Sequence, residues 1–143
     1  MADLGNVLEV ITRGSESFVR QYYNALDNNR TSISAFYEPN APIVFNGNPL
    51  MGGQAYQDLY LKMPVTAHDY GSFDCHPLAA GHNGQPSIAL TASGRVRIGT
   101  DKTKSPCGFS ESFILRPQAD GKFYVGTSCY RLVFKPDDVD IEP

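Results

Sequence analysis

The run Phe123–Phe134, reading Phe-Tyr-Val-Gly-Thr-Ser-Cys-Tyr-Arg-Leu-Val-Phe, constrains the fold of this chain more than any other stretch. It is dense in aromatic and β-branched residues. It lies between Ala119-Asp120-Gly121-Lys122 and Pro136, so it reads as a strand entered through a hairpin turn. Side chains of a strand alternate between faces. Tyr124, Ser128, Tyr130, Leu132 and Phe134 therefore share one row, and Phe123, Val125, Thr127, Cys129, Arg131 and Val133 share the other. Both rows are largely apolar and both call for cover. The chain's own helices can cover the first; the second, with the single cation Arg131, calls for another polypeptide.

A chain of 143 residues is expected to fold as one domain spanning 1–143, with an acidic tail from about residue 136 that frays. Net charge −3 and a pI near 5.5 argue against salt-driven capture of nucleic acid. The cations do cluster, however: Arg95, Arg97, Lys102 and Lys104 lie within ten positions. Cys75, Cys107 and Cys129 are odd in number and far apart, which fits neither a disulfide framework nor a zinc site. Asp3 and Glu9 stand where a signal peptide needs basic and then apolar residues, and no apolar run is long enough to span a membrane. Gly52-Gly53 lacks the Lys-Ser/Thr that completes a phosphate loop. These features predict a reduced, intracellular, soluble protein without metal, cofactor or membrane contact.

Leu4, Leu8, Ile11, Phe18, Tyr22 and Leu26 recur at helical spacing with Ser15 filling a gap, and Asp27-Asn28-Asn29-Arg30 ends that helix. Gly14 inside it marks a bend or a close approach. Thr31 or Ser32 is expected to cap a short second helix carrying Ile33, Phe36 and Tyr37. Pro42–Asn46 reads as a strand, Asn46-Gly47-Asn48 as a tight turn, and Tyr56, Leu59, Tyr60 and Met63 as the stripe of a third helix. Strands follow: Thr66–Leu78 with a kink at Gly71, Ile88–Ile98, Phe109–Leu115 and the closing run. Gly81–Pro86 and Thr100–Pro106 read as loops. In Ile88–Ile98 the row Ile88, Leu90, Ala92, Val96, Ile98 opposes Thr91, Ser93, Arg95, Arg97; in the next strand Phe109, Phe113 and Leu115 oppose Ser110, Ser112 and Arg116. Helices first and consecutive strands later give an α+β fold, with helices on one face of an antiparallel sheet. The outer face, carrying Thr91, Ser93, Arg95, Arg97, Thr127, Cys129 and Arg131, is semi-polar and broad.

Several strings resemble the nuclear transport factor 2 family. Phe18-Val-Arg-Gln-Tyr-Tyr-Asn-Ala-Leu-Asp27-Asn-Asn-Arg30, followed by Phe36-Tyr37, resembles its first two helices. Asp74-Cys-His-Pro77 resembles its Asp-x-Gln/His-Pro, and Cys129-Tyr-Arg-Leu132 its final strand. The resemblance implies a cone: helices wrapped by a strongly curved antiparallel sheet, with pairing through the sheet's outer face. Two transport branches differ. The homodimeric import factor for Ran-GDP carries Trp-Glu where this chain has Phe45-Asn46, and acidic residues where this chain has Gly99-Thr-Asp-Lys-Thr-Lys104. The small subunit of the mRNA export heterodimer, partner of the large TAP-type export receptor, reads close to Val44-Phe45-Asn46-Gly47-Asn48 and Ser128-Cys129-Tyr130-Arg131. Phe45 replaces the usual Trp of that branch, and the loops 80–87 and 99–107 are longer than its pattern. There the arginine matching Arg131 faces a partner carboxylate.

The resemblance therefore implies a non-enzymatic adaptor for nuclear mRNA export. It would shuttle between nucleus, pore and cytoplasm, bound to the large receptor, with nucleoporin phenylalanine-glycine repeats engaged by the complex. The expected interface is Arg131, Cys129, Thr127, Val125, Thr91, Ser93 and Arg95; Arg97, Lys102 and Lys104, beside Arg95, are candidate RNA contacts within the complex. The fold also serves ketosteroid isomerase and scytalone dehydratase, and Tyr22, Tyr130, Asp74 and His76 are the residues a related acid–base site would use.

Overall fold

The computed structural model describes residues 4–82 and 85–133. The expected tail from residue 136 and the Phe134 end of the last strand lie outside them. Helix α1 spans Leu4–Asn28, a short 3-10 helix spans Arg30–Phe36, and α2 spans Gly53–Lys62. Strands are β1 (Pro42–Phe45), β2 (Asn48–Met51), β3 (Thr66–His82), β4 (Gln85–Ile98), β5 (Cys107–Pro117) and β6 (Phe123–Val133). They form one six-stranded sheet in the order β2-β1-β6-β5-β4-β3. The α+β architecture matches the sequence reading, with one correction: β1 runs parallel to β6. β1 lies between the edge strand β2 and β6, the last described strand. Among the described residues no helix is long and apolar enough to cross a membrane.

α1 runs unbroken through Gly14, where an added Cβ would meet nothing within 4 Å, so no close approach occurs there. Its stripe buries Ile11, Ser15, Val19, Tyr22, Tyr23 and Leu26 against the sheet. The 3-10 helix begins at Arg30 rather than at a Thr31 or Ser32 cap. Those hydroxyls instead turn back to Asn29, Thr31 Oγ1 donating to its Oδ1 at 3.3 Å and Ser32 Oγ to its carbonyl at 2.8 Å. The turn at Asn46-Gly47 has φ of 51° and 87°, as the Asn-Gly pair favours, and it launches β2, a strand the sequence reading passes over. Gly81 and His82 pair with Pro86 and Gln85, so the segment expected as a long loop is the end of the β3–β4 hairpin. Residues 83–84, between those ends, lie outside the described residues.

The kink at Gly71 is a register break between Tyr70 and Ser72. It brings the β3 backbone down onto β4: a Cβ on Gly94 would sit 2.1 Å from the Asp69 carbonyl oxygen and 2.7 Å from the Gly71 nitrogen. Backbone atoms cannot step aside as a side-chain tip can. Gly94→Ala is therefore expected to cost about 3 kcal/mol through forced backbone shifts, read as a lower urea midpoint; a loss below about 1 kcal/mol would contradict this close approach.

Candidate functional site

The inner face of the sheet is filled by aromatic rings. Tyr22, Tyr23, Tyr37, Tyr56, Tyr60, Phe109, Phe113 and Tyr130 are all buried. Near-parallel stacks and edge-to-face contacts link them, such as Phe109 on Tyr130 at 5.7 Å and Tyr22 against Phe113 at 5.0 Å. The polar tips point into two networks. In one, Asp27 Oδ1 lies 2.7 Å from His68 Nδ1, and His68 Nε2 lies 2.8 Å from Tyr130 Oη. In the other, Tyr22 and Tyr23 hydroxyls donate to the two oxygens of Glu111 at 2.8 and 2.9 Å. Burial pushes the Glu111 carboxyl up to about 8, only partly opposed by those tyrosine hydrogen bonds. Burial likewise raises the Tyr22, Tyr23 and Tyr56 hydroxyls, with the Glu111 charge adding to it.

Glu111 is absent from the sequence reading of β5. By parity it falls in the row of Phe109, Phe113 and Leu115, and a lone carboxylate in a greasy row was the signal available. The acid–base pair expected at Asp74 and His76 does not form an interior site: both are exposed, on rungs facing Thr91 and Ala89. Strand parity places them on the outer face. The histidine inside the cone is His68, its side chain 0% exposed. Among the described residues no group of three or more His, Cys, Asp or Glu could hold a metal ion.

The outer face is built of short side chains. One rung reads Asp74, Thr91, Ser112, Cys129, Val44; the next reads Ser72, Ser93, Ser110, Arg131; a third reads Asp69, Arg95, Gly108, Val133. Thr127 follows Ile114 and Ala89 on a fourth. So six of the seven expected interface residues, Arg131, Cys129, Thr127, Thr91, Ser93 and Arg95, share one surface.

Val125 does not. The β5–β6 ladder skips at Gly126, passing from Ile114 opposite Thr127 to Leu115 opposite Val125. The extra residue inverts the alternation before it, leaving Val125 0% exposed in the core and turning Tyr124 outward, where it donates to Asp120 Oδ2 at 2.6 Å. Gly126 leaves the room Arg116 occupies: a Cβ there would lie 2.3 Å from Arg116 Nε, which pairs with Glu38 at 3.5 Å.

Arg131 is exposed, and among the described residues no carboxylate lies within ion-pair distance of it. Its backbone is held from both sides by one residue. Asn46 N donates to the Tyr130 carbonyl at 2.7 Å, and Leu132 N donates to Asn46 Oδ1 at 3.1 Å. The β1–β2 turn thus fixes the backbone from which Arg131 projects. Beside it, Ser93, Arg95, Gly108, Ser110, Val133 and Asp69 line an open groove of about 580 Å³. Arg97 also faces outward, but its Nη1 donates to the Lys104 carbonyl at 2.6 Å, so it braces the 99–106 loop. Lys102 and Lys104 are exposed on that loop. Asp101, held below the usual carboxylate range by hydrogen bonds from Thr103, shapes its tip.

The geometry defines a cone filled by its own helices and aromatic rings, with one broad sheet face left uncovered. The chain belongs to the nuclear transport factor 2 family: residues 14–132 match the family's Nuclear transport factor 2 (NTF2) domain. It is 28% identical to nuclear transport factor 2 of Neurospora crassa over 118 residues, covering 81% of this chain and 90% of that one. It is 29% identical to an NTF2-related export protein of Caenorhabditis elegans over 127 residues, covering 87% and 90%. Among solved structures, the C. albicans Mtr2–Mex67 M domain complex contains a chain of the same fold, with TM-score 0.69, 18% identity and 87% and 97% coverage. A putative scytalone dehydratase from Novosphingobium aromaticivorans shares it too, with TM-score 0.73, 13% identity and 92% and 89% coverage. The curated relatives described are transport factors.

Proposed function

We propose that this chain is the small, non-enzymatic subunit of an mRNA export heterodimer, pairing through its outer sheet face with the related domain of a large export receptor. The observation that carries this reading is Arg131. It is an exposed guanidinium that pairs with no carboxylate among the described residues, set in a face whose central rungs are mostly serine, threonine, cysteine and glycine. Sheets stack about 10 Å apart, and short side chains are what such an approach needs. A partner carboxylate opposite Arg131 would form a bidentate, charge-assisted pair. Similarity to an NTF2-related export protein supports the export branch. Nucleoporin phenylalanine-glycine repeats would be bound by the pair, and Arg95, Arg97, Lys102 and Lys104 would add to any surface the complex offers RNA; the protein would shuttle between nucleus, pore and cytoplasm.

The alternative is a homodimeric carrier of Ran-GDP, favoured by the similarity to the Neurospora protein. Against it stands Asn46: where the import factor resembles this chain but carries an acid, Asn46 is committed to the β6 backbone. The test is a binding assay with two arms, the related domain of an export receptor and Ran-GDP. Capture of the receptor domain alone is expected; capture of Ran-GDP alone overturns the proposal.

A further inference from the structure

Glu111 is 0% exposed, on an inner strand of the sheet, and the polar groups interacting with it are phenols. From α1 come Tyr22 and Tyr23; Tyr37 follows the 3-10 helix; Tyr56 and Tyr60 come from α2, and Tyr130 from β6. The charged groups bordering this shell are occupied elsewhere. Arg30 lies over the Tyr60 ring at 5.3 Å and donates to backbone carbonyls, and Asp27 is bound to His68. No cation among the described residues pairs with the carboxyl. An ionised carboxylate in such a place is costly, and such groups neutralise instead.

The hydroxyls also have a direction. Ser128 Oγ lies 3.3 Å from Tyr37 Oη, which lies 2.7 Å from Tyr22 Oη, which donates to Glu111 Oε2; each hydroxyl has one hydrogen, so the chain runs toward the acid. Tyr23 donates to the other oxygen. A protonated carboxyl then needs an acceptor of its own. Two phenol oxygens of the shell, Tyr56 Oη and Tyr60 Oη, lack a hydrogen-bond partner, and of these Tyr56 Oη is the one within reach of the Glu111 carboxyl.

We propose that Glu111 is a neutral carboxylic acid in the folded protein, its proton directed to Tyr56 Oη, so that the cone interior is a proton-dependent lock between α1, α2 and the sheet. The Glu111 carboxyl, raised to about 8, binds its proton more tightly when folded than when unfolded. Its stabilising contribution is therefore full below the ordinary carboxylate range and declines as pH climbs to about 8. Within that window each pH unit multiplies the unfolding constant by about tenfold.

The test compares urea unfolding of the wild type, Glu111→Gln and Tyr56→Phe from about pH 6 to about pH 9. Glutamine mimics the neutral acid, so the ratio of wild-type to Glu111→Gln unfolding constants is expected to rise about fiftyfold between pH 6 and 8; groups common to both, His68 among them, cancel. Tyr56→Phe removes the acceptor and is expected to move the wild-type midpoint of this loss to lower pH. A pH-independent ratio overturns the proposal, as does a Tyr56→Phe midpoint that is unchanged or higher, the sign expected if Tyr56 donates to a carboxylate. Should Glu111→Gln fail to fold, infrared absorption of the wild type near pH 7 decides: a protonated-carboxyl carbonyl band supports the neutral acid, and its absence overturns it.

Discussion

Replacing Arg131 with alanine is expected to weaken the heterodimer by about 2 to 5 kcal/mol while leaving the fold intact. The two halves of that expectation rest on different observations. The fold is spared because the side chain is exposed and, among the described residues, pairs with no carboxylate of its own chain. Binding suffers because closing the face would strand the partner's carboxylate, and an uncompensated buried charge costs more than the pair was worth. Arg131→Lys is expected to recover little, since an ammonium offers a point charge where a planar fork was matched. Titration calorimetry against the receptor domain measures both. Wild-type affinity in the alanine variant would remove Arg131 from the interface.

A stability effect as large as that of Gly94→Ala is expected at Arg30. Its Nε donates to the Leu26 carbonyl at 2.9 Å, Nη1 to those of Tyr60 and Met63 at 2.5 and 2.8 Å, and Nη2 to that of Pro64 at 2.7 Å and to Thr66 Oγ1 at 3.3 Å. One guanidinium thus collects carbonyls at the end of α1 and at and just past the end of α2, where the helix ladder has run out of donors. Arg30→Ala frees them together and is expected to cost about 3 kcal/mol, lowering Tm by roughly 10 °C for a domain of this size. Arg30→Lys is expected to restore less than half, because one ammonium cannot span four carbonyls. A loss within about 0.5 kcal/mol, as at an ordinary surface site, would contradict this role.

Much of this architecture was legible in the residues. Periodicity located the helices and the long strands, and parity in Ile88–Ile98 separated Thr91, Ser93 and Arg95 from the core as the burial pattern does. What escaped has physical causes. The Gly126 bulge inserts one residue into the ladder, and alternation carries no trace of an insertion until the partner strand is seen; Val125 crossed to the wrong face for that reason. β2 is four residues long, mostly exposed and interrupted by Pro49, so it is visible only through its turn. Its neighbour β1 pairs in parallel with a strand more than eighty residues away, as Ile43 opposite Ser128 shows. Glu111 was hidden by its class: a carboxylate reads as a surface residue until the phenols of four other segments are assembled around it. The pairing Asp27–His68–Tyr130 needs three elements at once, and local spacing suggested Asp74 and His76 instead.

The central claim is that the outer sheet face is closed by a related but different domain. The mass of the purified assembly, measured by light scattering after co-expression with the related domain of an export receptor, tests it most directly. The account predicts a single species at the summed mass of one copy of each chain, lost on Arg131→Ala. A species of twice 15.7 kDa, with the receptor domain eluting apart, would contradict it.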